Sequence, residues 1–193
     1  KSGRMLGGRG GSDAHHGVPD APELTTPLSI EASANYVGTP TTWIYARERS
    51  KQAVLEAMAA GRASVSANPF NPRVELVADH DGDGVMDMMM GDNVKPTGAP
   101  VTFEVRLLGG GIEGASYRVR VVRNRDEFAT LITDPQTHSV RFTDTPGVGE
   151  RNYYRVEIEG PQVPYPAVPN SMALSQNMIA LSNPLYFNYN PSF

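Results

Sequence analysis

Strict alternation of apolar and polar residues is the feature that most limits what this chain can fold into. Val101, Phe103, Val105 and Leu107 alternate with Thr102, Glu104 and Arg106. Tyr117, Val119 and Val121 alternate with Arg118 and Arg120, Val140 and Phe142 with Ser139 and Arg141, and Tyr154, Val156 and Ile158 with Arg155 and Glu157. A period of two puts successive side chains on opposite faces of an extended backbone, so each run is a strand with one face on a core and one in water. Val74–Ala78 adds another strand-like run, and Asn124-Arg125 and Thr145-Pro-Gly-Val-Gly149 supply turn chemistry. At least five such strands in succession predict an antiparallel β-sandwich.

The first third has a different rhythm. Residues 1–40 have weak periodicity and are punctuated by glycine and proline. Thr41–Ala46 then reads as a short buried strand. Ser50 is placed to N-cap a helix over Lys51–Ala60, and Gly61 to end it. Val54, Leu55 and Met58 fall on one face of that helix. Ala63–Ser66 reads as a second strand, giving the strand, helix, strand order of an α/β unit. Near the other end, Pro161, Pro164, Pro166 and Pro169 mark an extended stretch, followed by an apolar segment at Met178–Leu181 and a closing strand at Asn183-Pro184-Leu185-Tyr186-Phe187. The chain is expected to divide into residues 1–67, of α/β character, and residues 68–193, a β-sandwich-like domain with an Asp-rich loop.

Composition excludes several function classes. Lys and Arg number 17 against 21 Asp and Glu, a net charge of −4, which argues against a nucleic-acid partner. No apolar run approaches the ~20 residues of a membrane-spanning helix. There is no cysteine, so disulfides, thiolate metal sites and a Cys nucleophile are out. No G-x-S-x-G elbow, P-loop or dinucleotide fingerprint occurs. Arg118, Arg120, Arg123 and Arg125 read as a solvated strand face balanced by Glu104, Glu157 and Glu159. The opening KSGRMLGGRGGSDAHH lacks an initiator Met and is read as the interior of a longer protein, with any targeting signal upstream.

Two motifs carry chemistry. Asp79, Asp81 and Asp83, followed by Gly84, match positions one, three, five and six of a calcium loop; Val85 can offer its carbonyl, and Asp87 can coordinate directly or through water. Position twelve is Met90 and not the bidentate Glu of an EF-hand, and the flanks read as strands, so Asp87 or Asp92 must supply the missing oxygen. Carboxylates this close repel one another without a cation. The modest affinity expected of such a loop suits the high calcium of a secreted or periplasmic setting. A soft copper site from His80 with Met86, Met88, Met89 and Met90 competes with core packing of the methionines, and packing is the stronger reading. The second motif is Asp13-Ala-His15. In an extended chain the two side chains point the same way and can meet one metal ion, with mixed N/O ligation suited to zinc, manganese or iron; His16 points away.

The run GSDAHH, followed by VGTPTTWIYARERSKQAVLEAMAAGRASVSANP, resembles the C-terminal end of polymerase-and-histidinol-phosphatase (PHP) type metallohydrolases, in particular the CehA/McbA-type branch. The resemblance covers roughly residues 10–67, and the Asp-rich loop and the ending ALSNPLYFN are similar to the β-rich region that follows in that family. It implies that residues 1–67 are the end of a (βα) barrel and that Asp13 and His15 are the family's last metal ligands. The family's His-x-His pair and middle His and Glu ligands do not fall in this sequence. The implied activity is metal-dependent, phosphoesterase-like hydrolysis of a small-molecule ester or phosphoester, with the protein's own N-terminal catalytic region as the partner of this chain. A catalytic metal needs at least three protein ligands and an open position, so these residues alone are expected to be inactive. The other reading is a non-catalytic, calcium-stabilised β-sandwich that serves as an accessory or binding module.

Overall fold

The alternating segments are strands, and their apolar sets meet across two packed sheets. The computed structural model describes residues 5–11, 40–163 and 178–190. In chain order these form β1 (Thr41–Ile44), α1 (Lys51–Ala60), β2 (Ala63–Ser66), β3 (Arg73–Asp79), β4 (Met88–Met89), β5 (Asn93–Val94) and β6 (Val101–Leu108). There follow β7 (Arg118–Arg123), β8 (Asp126–Ile132), β9 (Ser139–Asp144), β10 (Asn152–Glu159), β11 (Met178–Ser182) and β12 (Leu185–Phe187). The protein is mainly β, with antiparallel sheets. None of the described helices is long and apolar enough to cross a membrane.

One sheet has the order β4-β3-β6-β9, all antiparallel. The other is built around β10, which pairs with β7 on one edge and with β11 and β12 in succession on the other. β11 continues the sheet to β2 and β1, β12 pairs in parallel with β5, and β8 closes the far side of β7. The strand–helix–strand unit thus shares one sheet with the alternating segments: Leu181 lies opposite Val65. Tyr45 Oη fastens the sheets together by donating to the Val74 carbonyl at 2.9 Å.

The core lies between the sheets. Val74, Leu76 and Ala78 of β3 and Val101, Phe103, Val105 and Leu107 of β6 face Val119 and Val121 of β7 and Tyr154, Val156 and Ile158 of β10. The Phe103 ring is stacked on its cross-strand partner Phe142 at 4.7 Å and meets Tyr154 of the opposite sheet at 4.6 Å. Such pairs contribute beyond the area they bury. On the outer faces the arginines are paired: Arg118 with Glu159, Arg120 and Arg155 with Glu157, and Arg106 and Arg141 with Glu104.

Two local features differ from the sequence-based expectation, and a third shows what fixes a turn. Helix α1 has its expected caps: Ser50 Oγ accepts from Ala53 N at 3.1 Å, and Gly61 closes the helix at φ 78°. Its buried face, however, is Ala53 and Ala57, while Val54, Leu55 and Met58 are exposed. β8, a strand not expected from the sequence, has no clean alternation because it carries a bulge: Val121 pairs with Ala129 and Val122 with Glu127, which leaves Phe128 as the extra residue. Phe128 turns toward Phe142 and Tyr154 at the open edge of the sandwich. Finally, the Gly109-Gly110-Gly111 turn is set by backbone contact, since a Cβ on Gly110, at φ 66°, would lie 2.3 Å from the Phe70 carbonyl oxygen.

Candidate metal site

The Asp-rich loop begins where β3 leaves the sheet. Asp79 is the last residue of β3, opposite Thr102, and is 6% exposed. The chain then turns sharply through Gly82 and Gly84, with φ 81° and 88°, a conformation that costs a residue with a Cβ. Both Asp79 carboxylate oxygens accept backbone N–H groups, Oδ1 from Gly82 at 2.7 Å and Oδ2 from Gly84 at 2.9 Å. Asp81 Oδ1 accepts from Asp83 N at 3.3 Å and Asp83 Oδ1 from Val85 N at 2.8 Å. Each carboxylate thus organises the backbone two to five residues ahead and wraps the loop around the acidic side chains.

This wrapping brings one carboxylate oxygen from each of Asp79, Asp81 and Asp83 within 4.8 Å of one another. Desolvation pushes the Asp79 carboxyl upward, but the N–H groups of Gly82, Gly84 and Asp83 and the Asp81 side chain together outweigh it and hold the group below its ordinary 3.8. Asp79 therefore carries its negative charge at neutral pH. Clustered hard oxygens of this kind are donors for Ca²⁺.

Asp87 is brought to the same loop, but its nearest partner is His80, with Nδ1 3.0 Å from Asp87 Oδ1. His80, Asp81 and Asp87 form a second group whose ligand atoms lie within 4.8 Å of one another, and Asp81 belongs to both. In sequence His80 stands beside the methionines, whereas its contact is with Asp87, seven residues on across the turn. Asp92, the other candidate for the missing oxygen, belongs to neither group: Oδ1 takes Arg62 at 2.8 Å and Oδ2 takes Met89 N at 3.0 Å. Met88 and Met90 are buried, Met88 in the sandwich core, so those two methionines are packing residues.

Asp13, His15 and His16 lie outside the described residues. The segment before them is described through Gly11. It runs along the β1 and α1 side of the sandwich, where Gly10 N donates to Thr42 Oγ1 at 2.9 Å and Gly8 N to Asn183 Oδ1 at 2.7 Å. No protein-family model, curated protein or solved structure matches the chain.

Proposed function

We propose that the β-sandwich is a non-catalytic accessory domain that binds one Ca²⁺ in the loop between β3 and β4, and that it belongs to a metal-dependent, phosphoesterase-like hydrolase of the PHP type. The observation that carries the calcium reading is the convergence of Asp79, Asp81 and Asp83 on one point, with backbone N–H groups already orienting the carboxylates. Asp79, Asp81, Asp83 and Asp87 are the ligands in this reading, and Val85 can add a carbonyl. The cation offsets the mutual repulsion of the carboxylates and fixes the turn between two strands of the sheet. Calorimetric titration with Ca²⁺ tests it. One site is expected in the wild-type chain and none in Asp81→Ala with Asp83→Ala; equal heats in the two proteins overturn it.

The hydrolase reading rests on the resemblance over residues 10–67. It is supported by the strand, helix and strand at Thr41–Ile44, Lys51–Ala60 and Ala63–Ser66, the order that the resemblance implies after the Asp-x-His motif. Asp13 and His15 form a mixed carboxylate and imidazole donor set, suited to zinc, manganese or iron. When bound, such a metal lowers the pKa of its water and polarises a phosphoryl or ester oxygen. Asp13 would hold the metal or orient its water, and His15 would serve as a neutral imidazole ligand. Two ligands do not hold a catalytic ion, so the remaining donors come from the protein's own catalytic region, the partner of this chain. A protein carrying that region is expected to hydrolyse a small-molecule ester or phosphoester and to lose turnover on Asp13→Ala or His15→Ala. Unchanged turnover in both variants removes the reading.

A further inference from the structure

Residues 5–11 are held by an arrangement that neither motif explains. They form no strand, yet alternate residues are gripped through the main chain by side chains of the sandwich. The Tyr186 hydroxyl accepts from Leu6 N at 2.9 Å and donates to Leu6 O at 2.6 Å. Four residues on, the Thr42 hydroxyl does the same to Gly10, accepting from its N at 2.9 Å and donating to its O at 3.0 Å. Between them Asn183 Oδ1 accepts from Gly8 N at 2.7 Å, while Asn183 Nδ2 is anchored on the Gly61 carbonyl at 2.9 Å. Engaging the N–H and the C=O of one residue is what a neighbouring strand does at a hydrogen-bonded pair. Two hydroxyls and an amide, at positions 6, 8 and 10, thus imitate a strand edge.

The grip reads the sequence at Arg9 and Gly10 and not at Leu6. Leu6 is 72% exposed, so its side chain is not recognised. A Cβ on Gly10 would lie 2.7 Å from Val65 Cγ1 and 2.8 Å from Pro40 Cγ, whereas one on Gly11 meets nothing within 4 Å. Arg9 is the one side chain of the strap used as a donor to the body: its guanidinium donates to the Met58 carbonyl in the last turn of α1. That turn has no basic residue of its own, and a cation there suits the helix dipole. Beside the strap a cleft of about 360 Å³ runs between Met58–Gly61, Gly91 and Tyr186.

We propose that this face is a peptide-binding groove that reads an extended Arg-Gly main chain, occupied in cis by residues 5–11, and that it accepts the same kind of peptide in trans once the strap is released. The mode is strand addition carried by side chains in place of a sheet edge. The strap is then a latch closed on this face of the sandwich.

The test compares the full chain with Gly10→Ala and Gly11→Ala. In the wild type and in Gly11→Ala, amide exchange at Leu6, Gly8 and Gly10 is expected to be at least about tenfold slower than in the free peptide of residues 5–11, and in Gly10→Ala that protection is lost. A labelled peptide of residues 5–11 is expected to bind the Gly10→Ala protein by fluorescence anisotropy, and the same peptide with its Arg9 or Gly10 replaced by Ala is not. Free-peptide exchange rates in the wild type overturn the latch. Failure of the labelled peptide to bind the released protein, with its melting temperature intact, overturns the groove.

Discussion

Replacing Phe103 with Ala probes the packing on which the whole sandwich rests. Phe103 is fully buried, and its ring contacts Phe142 at 4.7 Å, Tyr154 at 4.6 Å and Phe187 at 6.1 Å. Those three neighbours come from both sheets, and each is held by strand pairing, so the space left by the ring cannot collapse. Removal of a large aromatic side chain from such a site costs about 3–5 kcal/mol, the transfer term plus the cavity term. Phe128 gives the internal comparison. It touches Phe142 and Tyr154 from the open edge but is 38% exposed, so its loss leaves a gap that water can enter. Phe128→Ala is expected to cost about 1–2 kcal/mol by area. With a urea m-value of about 2 kcal/mol/M, the midpoint moves by about 1.5–2.5 M for Phe103→Ala and about 0.5–1 M for Phe128→Ala. Equal shifts for the two, or a Phe103→Ala cost below about 1.5 kcal/mol with unchanged m, refute a core closed around Phe103.

Three further outcomes follow from local geometry. The hydrogen bond from Arg106 holds the Glu104 carboxyl below its ordinary 4.5 against the opposing effect of burial, and the Arg106 and Arg141 charges add to it. Its contribution to stability is full above that ordinary value and is lost as pH falls through the lower folded value. Acid unfolding curves of Glu104→Gln should therefore show a shallower loss of stability below pH ~4.5 than wild type. Gly110→Ala, which would set a Cβ 2.3 Å from the Phe70 carbonyl oxygen at a left-handed φ, should cost at least about 1–3 kcal/mol in chemical denaturation. Ser50→Ala removes the acceptor for Ala53 N and should cost about 1 kcal/mol, concentrated in faster amide exchange over the first turn of α1.

Where the chain states its structure locally, the sequence is legible. Val101–Leu107 and Tyr154–Ile158 alternate cleanly because one face is buried and the other holds the Arg and Glu pairs, so both strands and the core face can be read off. Ser50 and Gly61 mark the helix ends because caps are chemistry of the nearest four residues. Asp79, Asp81, Asp83 and Gly84 are likewise a local pattern. What could not be read depends on distant partners. Phe128 breaks the alternation of β8 because a bulge turns it toward Phe142 and Tyr154. The pairing of β2 with β11 joins Val65 to Leu181 and leaves no trace in either segment. The helix buries Ala53 and Ala57 while the larger Val54, Leu55 and Met58 remain outside. Asp92 was a plausible ligand until Arg62, thirty residues away, is seen to hold it. The grip on residues 5–11 depends on Asn183 and Tyr186, near the opposite end of the chain.

Thermal unfolding reads out whether the β3–β4 loop takes a calcium ion. At a free Ca²⁺ concentration of about one hundred times Kd, binding to the folded state alone adds about 2.7 kcal/mol. For a chain of this length that raises the melting temperature by roughly 5–10 °C. The shift is expected in the wild type, to reverse with a chelator, and to vanish in Asp81→Ala with Asp83→Ala. A melting temperature that millimolar Ca²⁺ leaves unmoved, or a shift of equal size in that double variant, means that the loop holds no calcium.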